Sequence, residues 1–135
     1  MADTVHTIKI TDGPKFATFK FTNESDGTGE SNVTKIDVSS LAIDPMTKQA
    51  CTGVEIYQIW FTTVGMAVKV KYNATSNRLV WHILQDYSDF LDFSAFSGIP
   101  NDAGGGKNGD VLFETIGATN GDAYSIIIKV LKSYG

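Results

Sequence analysis

Residues 54–84 read VEIYQIWFTTVGMAVKVKYNATSNRLVWHIL. The stretch divides into three extended segments, at Gly65 and at the cluster of residues 73–77, because Gly permits φ > 0 and Asn and Ser favour turns. In the middle segment Met66, Val68, Val70 and Tyr72 alternate with Ala67, Lys69 and Lys71, the period-two signature of a half-buried strand. The segment before it, residues 54–62, is apolar on both faces: Ile56 and Trp60 share one, Tyr57, Ile59 and Phe61 the other. Leu79, Val80, Trp81 and Ile83 give the third segment two apolar faces as well. A strand apolar on both faces lies inside a sandwich or beneath a partner chain. One face of residues 54–62 is expected to fill the core and the other to meet a partner.

Working outward, the same pattern recurs. Residues 4–11 (TVHTIKIT) are β-branched at alternate positions and read as a first strand. Asp12-Gly13-Pro14 is a turn, and residues 15–22 are a second strand carrying Phe16, Phe19 and Phe21. Residues 23–32, NESDGTGESN, hold no apolar side chain and read as a solvated loop. Residues 33–38 are a third strand, and residues 39–52 an irregular crossing between sheets. After the three central strands, residues 85–96 fit either a short helix from Asp86, with Tyr87, Phe90 and Leu91 on one face, or an irregular edge strand. Residues 98–109 are a Gly- and Asn-rich surface loop, of a length that tends to be functional or to lie on a partner. Residues 110–116 are a strand, 117–122 a turn and 123–132 the closing strand, with Tyr124, Ile126, Ile128 and Val130 facing one way. About eight short strands without a long amphipathic helix predict a single all-β domain over residues 1–135, an antiparallel β-sandwich of jelly-roll-like form.

Composition narrows the function. Of 135 residues, 42% are hydrophobic and 19% charged, a globular balance. A net charge of −4 with scattered lysines leaves no basic patch for nucleic acid or for a membrane surface. The first residues show no basic and apolar leader, and no apolar run approaches the ~20 residues that span a bilayer. A single cysteine, Cys51, excludes an intrachain disulfide and fits a reducing cytoplasm.

Candidate chemistry is thin. Residues 104–110, GGGKNGD, lack the Ser/Thr after Lys107 and the following helix that a phosphate loop needs. Asp86, Asp89 and Asp92 offer hard oxygens for Ca²⁺, but a spacing of three matches no calcium-loop pattern. Neither His6 nor His82 lies near Cys51 in sequence, and no nucleophile elbow is present. The reading is a non-enzyme with no catalytic, cofactor or metal residues. Trp60, Trp81, Tyr57 and Tyr87 could stack on sugar rings, which makes a lectin-like carbohydrate-binding module the alternative; their embedding in strand patterns favours a core or a subunit contact. The residues expected at such a contact are Tyr57, Ile59, Trp60, Phe61, Phe90, Phe93 and Phe96.

A series of short motifs runs along the chain in order: Asp12-Gly13-Pro14, Asp26-Gly27-Thr28-Gly29-Glu30, Lys35-Ile36-Asp37-Val38-Ser39, Thr63-Val64-Gly65-Met66, Asp92-Phe93-Ser94-Ala95-Phe96-Ser97-Gly98, Gly109-Asp110-Val111 and Gly121-Asp122-Ala123-Tyr124. In this order, over most of the chain, they resemble a family of small tailed-bacteriophage virion structural proteins. The sequence departs from the family at Tyr72-Asn73, where members often carry Trp-Asp. The resemblance implies a capsid decoration (cement) protein, made in the host cytoplasm and placed on the capsid surface of the virion. Its partners would be its own copies, as a homotrimer, and the major capsid protein, with no nucleic acid and no membrane. A tail or neck position and a bound glycan remain compatible with the same pattern.

Overall fold

The structure is a computed structural model and describes residues 3–134. Its strands are β1 (Thr4–Asp12), β2 (Phe16–Asp26), β3 (Val33–Ile36), β4 (Cys51–Val64), β5 (Ala67–Tyr72), β6 (Arg78–Ile83), β7 (Ser88–Asp92), β8 (Val111–Ile116) and β9 (Asn120–Tyr134). Single 3-10 turns lie at Val38–Ser40 and Ser94–Phe96. The strands form a five-stranded sheet, β1-β2-β9-β4-β7, and a four-stranded sheet, β3-β8-β5-β6, antiparallel throughout.

The order has a simple logic. From the β5–β6 hairpin outward, β4 pairs with β7, β3 with β8 and β2 with β9. This is one long hairpin rolled up on itself, the wiring of a jelly roll, with β1 added at an edge. The expected crossing by residues 39–52 is made, since β3 and β4 belong to different sheets. Gly65, at φ 75, returns the chain from β4 to β5 in the other sheet.

The core lies between the sheets. Phe21 of one packs edge-on against Phe113 of the other at 5.1 Å, and Phe113 meets Tyr124 at 5.7 Å. Ile56, Ile59, Ile126, Ile128 and Val130 from the larger sheet and Met66, Val68, Val70 and Tyr72 from the smaller are buried with them. Each such side chain contributes roughly 1.5–3 kcal/mol of transfer free energy. The Tyr72 hydroxyl ties the layers further: it accepts from Ile56 N at 3.0 Å and donates to Ile99 O at 2.5 Å.

Two expectations need correction. First, β4 is not a simple alternation. Its pairing to β9 slips by one residue between Ile56 and Gln58, leaving Tyr57 as a bulge. A bulge reverses the phase of everything after it, so Ile56, Ile59 and Phe61 all point inward while Tyr57 and Trp60 face out. Second, residues 23–26 are not a solvated loop but the end of β2, where Asn23 and Ser25 are buried. Of the two readings open for residues 85–96, residues 88–92 take the edge strand. The strand β1 is exposed along nearly its whole length. It overhangs the sandwich, and a bulge at Ile10 together with Lys9 interrupts its open edge, devices that discourage uncontrolled edge pairing.

Candidate interaction surface

The registers place Ile8, Lys20, Ile127, Trp60 and Phe90 in one row across all five strands of the larger sheet. Residues directly opposite in an antiparallel ladder point to the same face, and this is the outer one. Trp60 and Phe90 stack at 4.7 Å with their planes 19° apart. They remain 38% and 43% exposed, and Ile8 41%. Lys20, Thr62, Ser88 and Ser125 rim the depression around the stacked pair. Toward the other end of the same face, Phe16 and Tyr57 meet at 4.8 Å, and the Lys129 ammonium lies 4.4 Å from the Phe16 centroid and 5.6 Å from that of Tyr57. The Tyr57 bulge thus turns an aromatic ring onto this face. An aromatic and aliphatic row with a cationic and hydroxyl rim has the chemistry of a docking surface.

The seven residues expected at a contact do not sit together. Tyr57, Trp60 and Phe90 lie on this outer face. Ile59 (0% exposed), Phe61 (5%) and Phe93 (8%) are core residues, which removes them from any contact surface of the folded chain. Phe96, 61% exposed, belongs to a second aromatic patch at the open side of the sandwich, where Trp81 on β6 packs on Phe93 at 5.3 Å and Phe93 on Phe96 at 6.1 Å. Trp81 faces the same way as the buried Val70 opposite it, so it seals an edge. The four rings considered for sugar stacking therefore form no single platform: Trp60 and Tyr57 are on the outer face, Trp81 is at the edge, and Tyr87 lies against Phe61 at 5.8 Å.

The remaining candidates are accounted for locally. Asp86 accepts from Gly65 N at 2.8 Å, Asp89 from Phe90 N at 2.8 Å, and Asp92 from Ser94 N at 2.9 Å and Gln58 Nε2 at 3.2 Å. The Ser94 and Gln58 hydrogen bonds hold Asp92 below the usual carboxylate range. Among the described residues no three His, Cys, Asp or Glu side chains converge as a metal site. Burial pushes the Cys51 thiol up, away from the thiolate a nucleophile needs. His6 and His82 are exposed on different sheets. Gly109 in the long loop packs against the chain at Thr52, and Lys107 reaches Asn101 O at 3.4 Å. No helix of the structure is long and apolar enough to cross a membrane.

Sequence reasoning missed Ile8, Lys20, Ile127 and Phe16 as parts of this face, because a row across a sheet is made by register and strand order. No protein-family model matches the chain, and a search of curated proteins finds no match to it.

Proposed function

We propose that this chain is a non-enzymatic virion structural protein of a tailed bacteriophage, a decoration protein that stabilises the capsid by docking its outer sheet face on capsid subunits and on its own copies. The observation that carries the reading is the outer-face row Ile8, Ile127, Trp60 and Phe90, in which Ile8, Trp60 and Phe90 are exposed and Ile127 is half-buried. It is supported by the ordered turn motifs that resemble such proteins. It also accords, by analogy of fold, with a jelly-roll wiring, an architecture that capsid and lectin domains share. A decoration protein must stay folded and soluble before assembly, and an apolar row interrupted by Lys20 and rimmed by the hydroxyls of Thr62, Ser88 and Ser125 meets both demands. Truncating a stacked aromatic anchor at the centre of such a contact costs about 2–4 kcal/mol per interface, and many copies on one particle amplify that loss through avidity.

A second reading, a carbohydrate-binding face, is favoured by one feature: the Trp60–Phe90 pair is flanked by Ser88, Thr62 and Lys20, polar groups of the kind that sugar hydroxyls require. Co-sedimentation with expanded capsids separates the two. Saturable binding to capsids with self-association in solution supports decoration. A monomer that ignores capsids and is retained on a glycan array through Trp60 supports the sugar face.

A further inference from the structure

At the end of the sandwich opposite the long loop, three buried polar side chains from three segments converge. Asn23 lies on β2 in the larger sheet and is 2% exposed. Lys35 is the extra residue in the β3–β8 ladder, where the register slips between Thr34 and Ile36; the bulge turns its side chain inward until 4% is exposed. Glu30 comes from the connection between them and is 6% exposed at its side chain. Its backbone is fixed to β8, with Glu30 N donating to Thr115 Oγ1 at 2.7 Å and Glu30 O accepting from Thr115 N at 2.9 Å.

One carboxylate holds the other two groups. Glu30 Oε2 is paired with the Lys35 ammonium, and Glu30 Oε1 accepts from Asn23 Nδ2 at 2.9 Å. The Tyr124 hydroxyl donates to the same Oε1 at 2.5 Å, and burial and the nearby Glu30 carboxylate hold that phenol far above its ordinary pKa, so it stays a donor. Asn23 Nδ2 also donates to Asp3 Oδ2 at 3.1 Å. The walls are aromatic: the Lys35 amine is 6.0 Å from the Phe113 centroid, and Phe113 packs on Phe21 and Tyr124. Among the described residues Asn23 Oδ1, which is buried, has no hydrogen-bond partner.

This is an expensive arrangement for mere stability. A buried ion pair repays its desolvation poorly, and an orphaned buried amide oxygen adds a further penalty. The same three groups are what an amine needs to acylate itself on an amide: a nucleophile, a carbonyl, and a carboxylate within hydrogen-bond reach of both nitrogens to move protons between them.

We propose that Lys35 and Asn23 join through an intramolecular isopeptide bond, with Glu30 as the catalytic residue. A proton passes from Lys35 Nζ to Glu30, leaving a neutral amine whose lone pair attacks Asn23 Cγ. The Nζ–Cγ bond forms as the carbonyl pair moves onto Oδ1, which has no hydrogen bond to lose. Glu30 carries the two protons shed by Nζ to Nδ2, the Cγ–Nδ2 bond breaks, and the nitrogen departs as ammonium. Glu30 is again a carboxylate, and no oxidant, reductant or co-reactant takes part. The bond ties β2 of the larger sheet to β3 at the edge of the smaller one, locking the two layers where β3 is only four residues long.

Intact mass spectrometry of the purified full chain, allowing for the initiator Met, tests this directly. The expected mass is one ammonia below the sequence mass. Trypsin is then unable to cut after Lys35 and releases residues 21–48 as one peptide, one ammonia light, without backbone fragments between positions 23 and 35. Glu30→Gln, which keeps the shape but cannot accept the proton, is expected at full mass with normal cleavage after Lys35. A native chain at full sequence mass overturns the proposal whether or not the variant folds. So does an ammonia loss that maps anywhere other than Asn23 and Lys35, or one that persists in Glu30→Gln. Because it concerns a bond within the chain, the result is independent of whether the protein binds capsids.

Discussion

Replacing Tyr72 by Phe removes one oxygen atom from between the two sheets and leaves the ring where it is. The hydroxyl is the partner of two backbone groups on another layer, accepting from Ile56 N at 3.0 Å and donating to Ile99 O at 2.5 Å. Burial holds the phenol well above its ordinary pKa, so it is a donor at neutral pH. Tyr72 and Ile56 are wholly buried, whereas Ile99 is half-buried. An unsatisfied buried backbone group costs about 1–3 kcal/mol. The Ile56 side should show most of that, and the Ile99 carbonyl less because water can approach it. The sum is roughly 2–4 kcal/mol, with almost no cavity contribution because the ring is retained. In urea, with a slope of about 1.5–2 kcal/mol/M, the midpoint of Tyr72→Phe should fall by about 1–2.7 M with the slope unchanged. A midpoint within about 0.2 M of the native protein would refute the bridging role assigned to this hydroxyl.

Other substitutions separate structure from surface. Ile59→Ala should cost about 2–5 kcal/mol, whereas Trp60→Ala, one residue along but on the outer face, should cost under about 1.5 kcal/mol; equal losses in thermal unfolding would contradict the bulge at Tyr57. Gly109→Ala places a Cβ 2.4 Å from Thr52 O at φ 89 and should lower the melting temperature clearly, while Gly104→Ala meets nothing within 4 Å and should leave it unchanged. The pair Asp12 and Lys132, joined at 2.7 Å, predicts a stability plateau. Burial pushes Asp12 up, but hydrogen bonds from Lys132, Ala42 N and Lys9 outweigh it and lower its pKa from 3.8. Its contribution is therefore present above that value and lost as pH falls through the lower folded value. Burial pulls Lys132 down, but Asp12 and Tyr134 raise it above 10.5, so its contribution is present below that value and lost as pH rises through the higher folded one. Denaturation midpoints measured from acid to alkaline pH should fall at both ends, and Lys132→Met should flatten the alkaline limb.

What was legible in the sequence follows from what a single strand records. The alternation in β5 and β9 was read with the right faces, since Met66, Val68, Val70 and Tyr72, and Tyr124, Ile126, Ile128 and Val130, are all buried. The antiparallel sandwich followed from many short strands and turns, and the structure has nine of them among the described residues. In β4 the same rule failed, because a one-residue bulge is invisible to periodicity and reverses every later side chain. That error assigned Ile59 and Phe61 to a contact they do not reach. Asn23 and Ser25 read as loop because they are polar, yet they continue the phase of Phe19 and Phe21, and that continuation is the available signal. Their burial is repaid by partners distant in sequence: Glu30 and Asp3 for Asn23, Asp3 for Ser25. The outer apolar row needs strand order as well as register, and strand order is settled by how the long hairpin rolls up.

The most direct measurement of the proposed role is co-sedimentation of the purified protein with expanded phage capsids, native chain beside Trp60→Ala and Phe90→Ala. Saturable binding by the native chain, weakened at least about thirtyfold by either substitution while both variants remain cooperatively folded at the assay temperature, is the expected result. Native protein left entirely in the supernatant, or bound equally well without the Trp60–Phe90 stack, would contradict it.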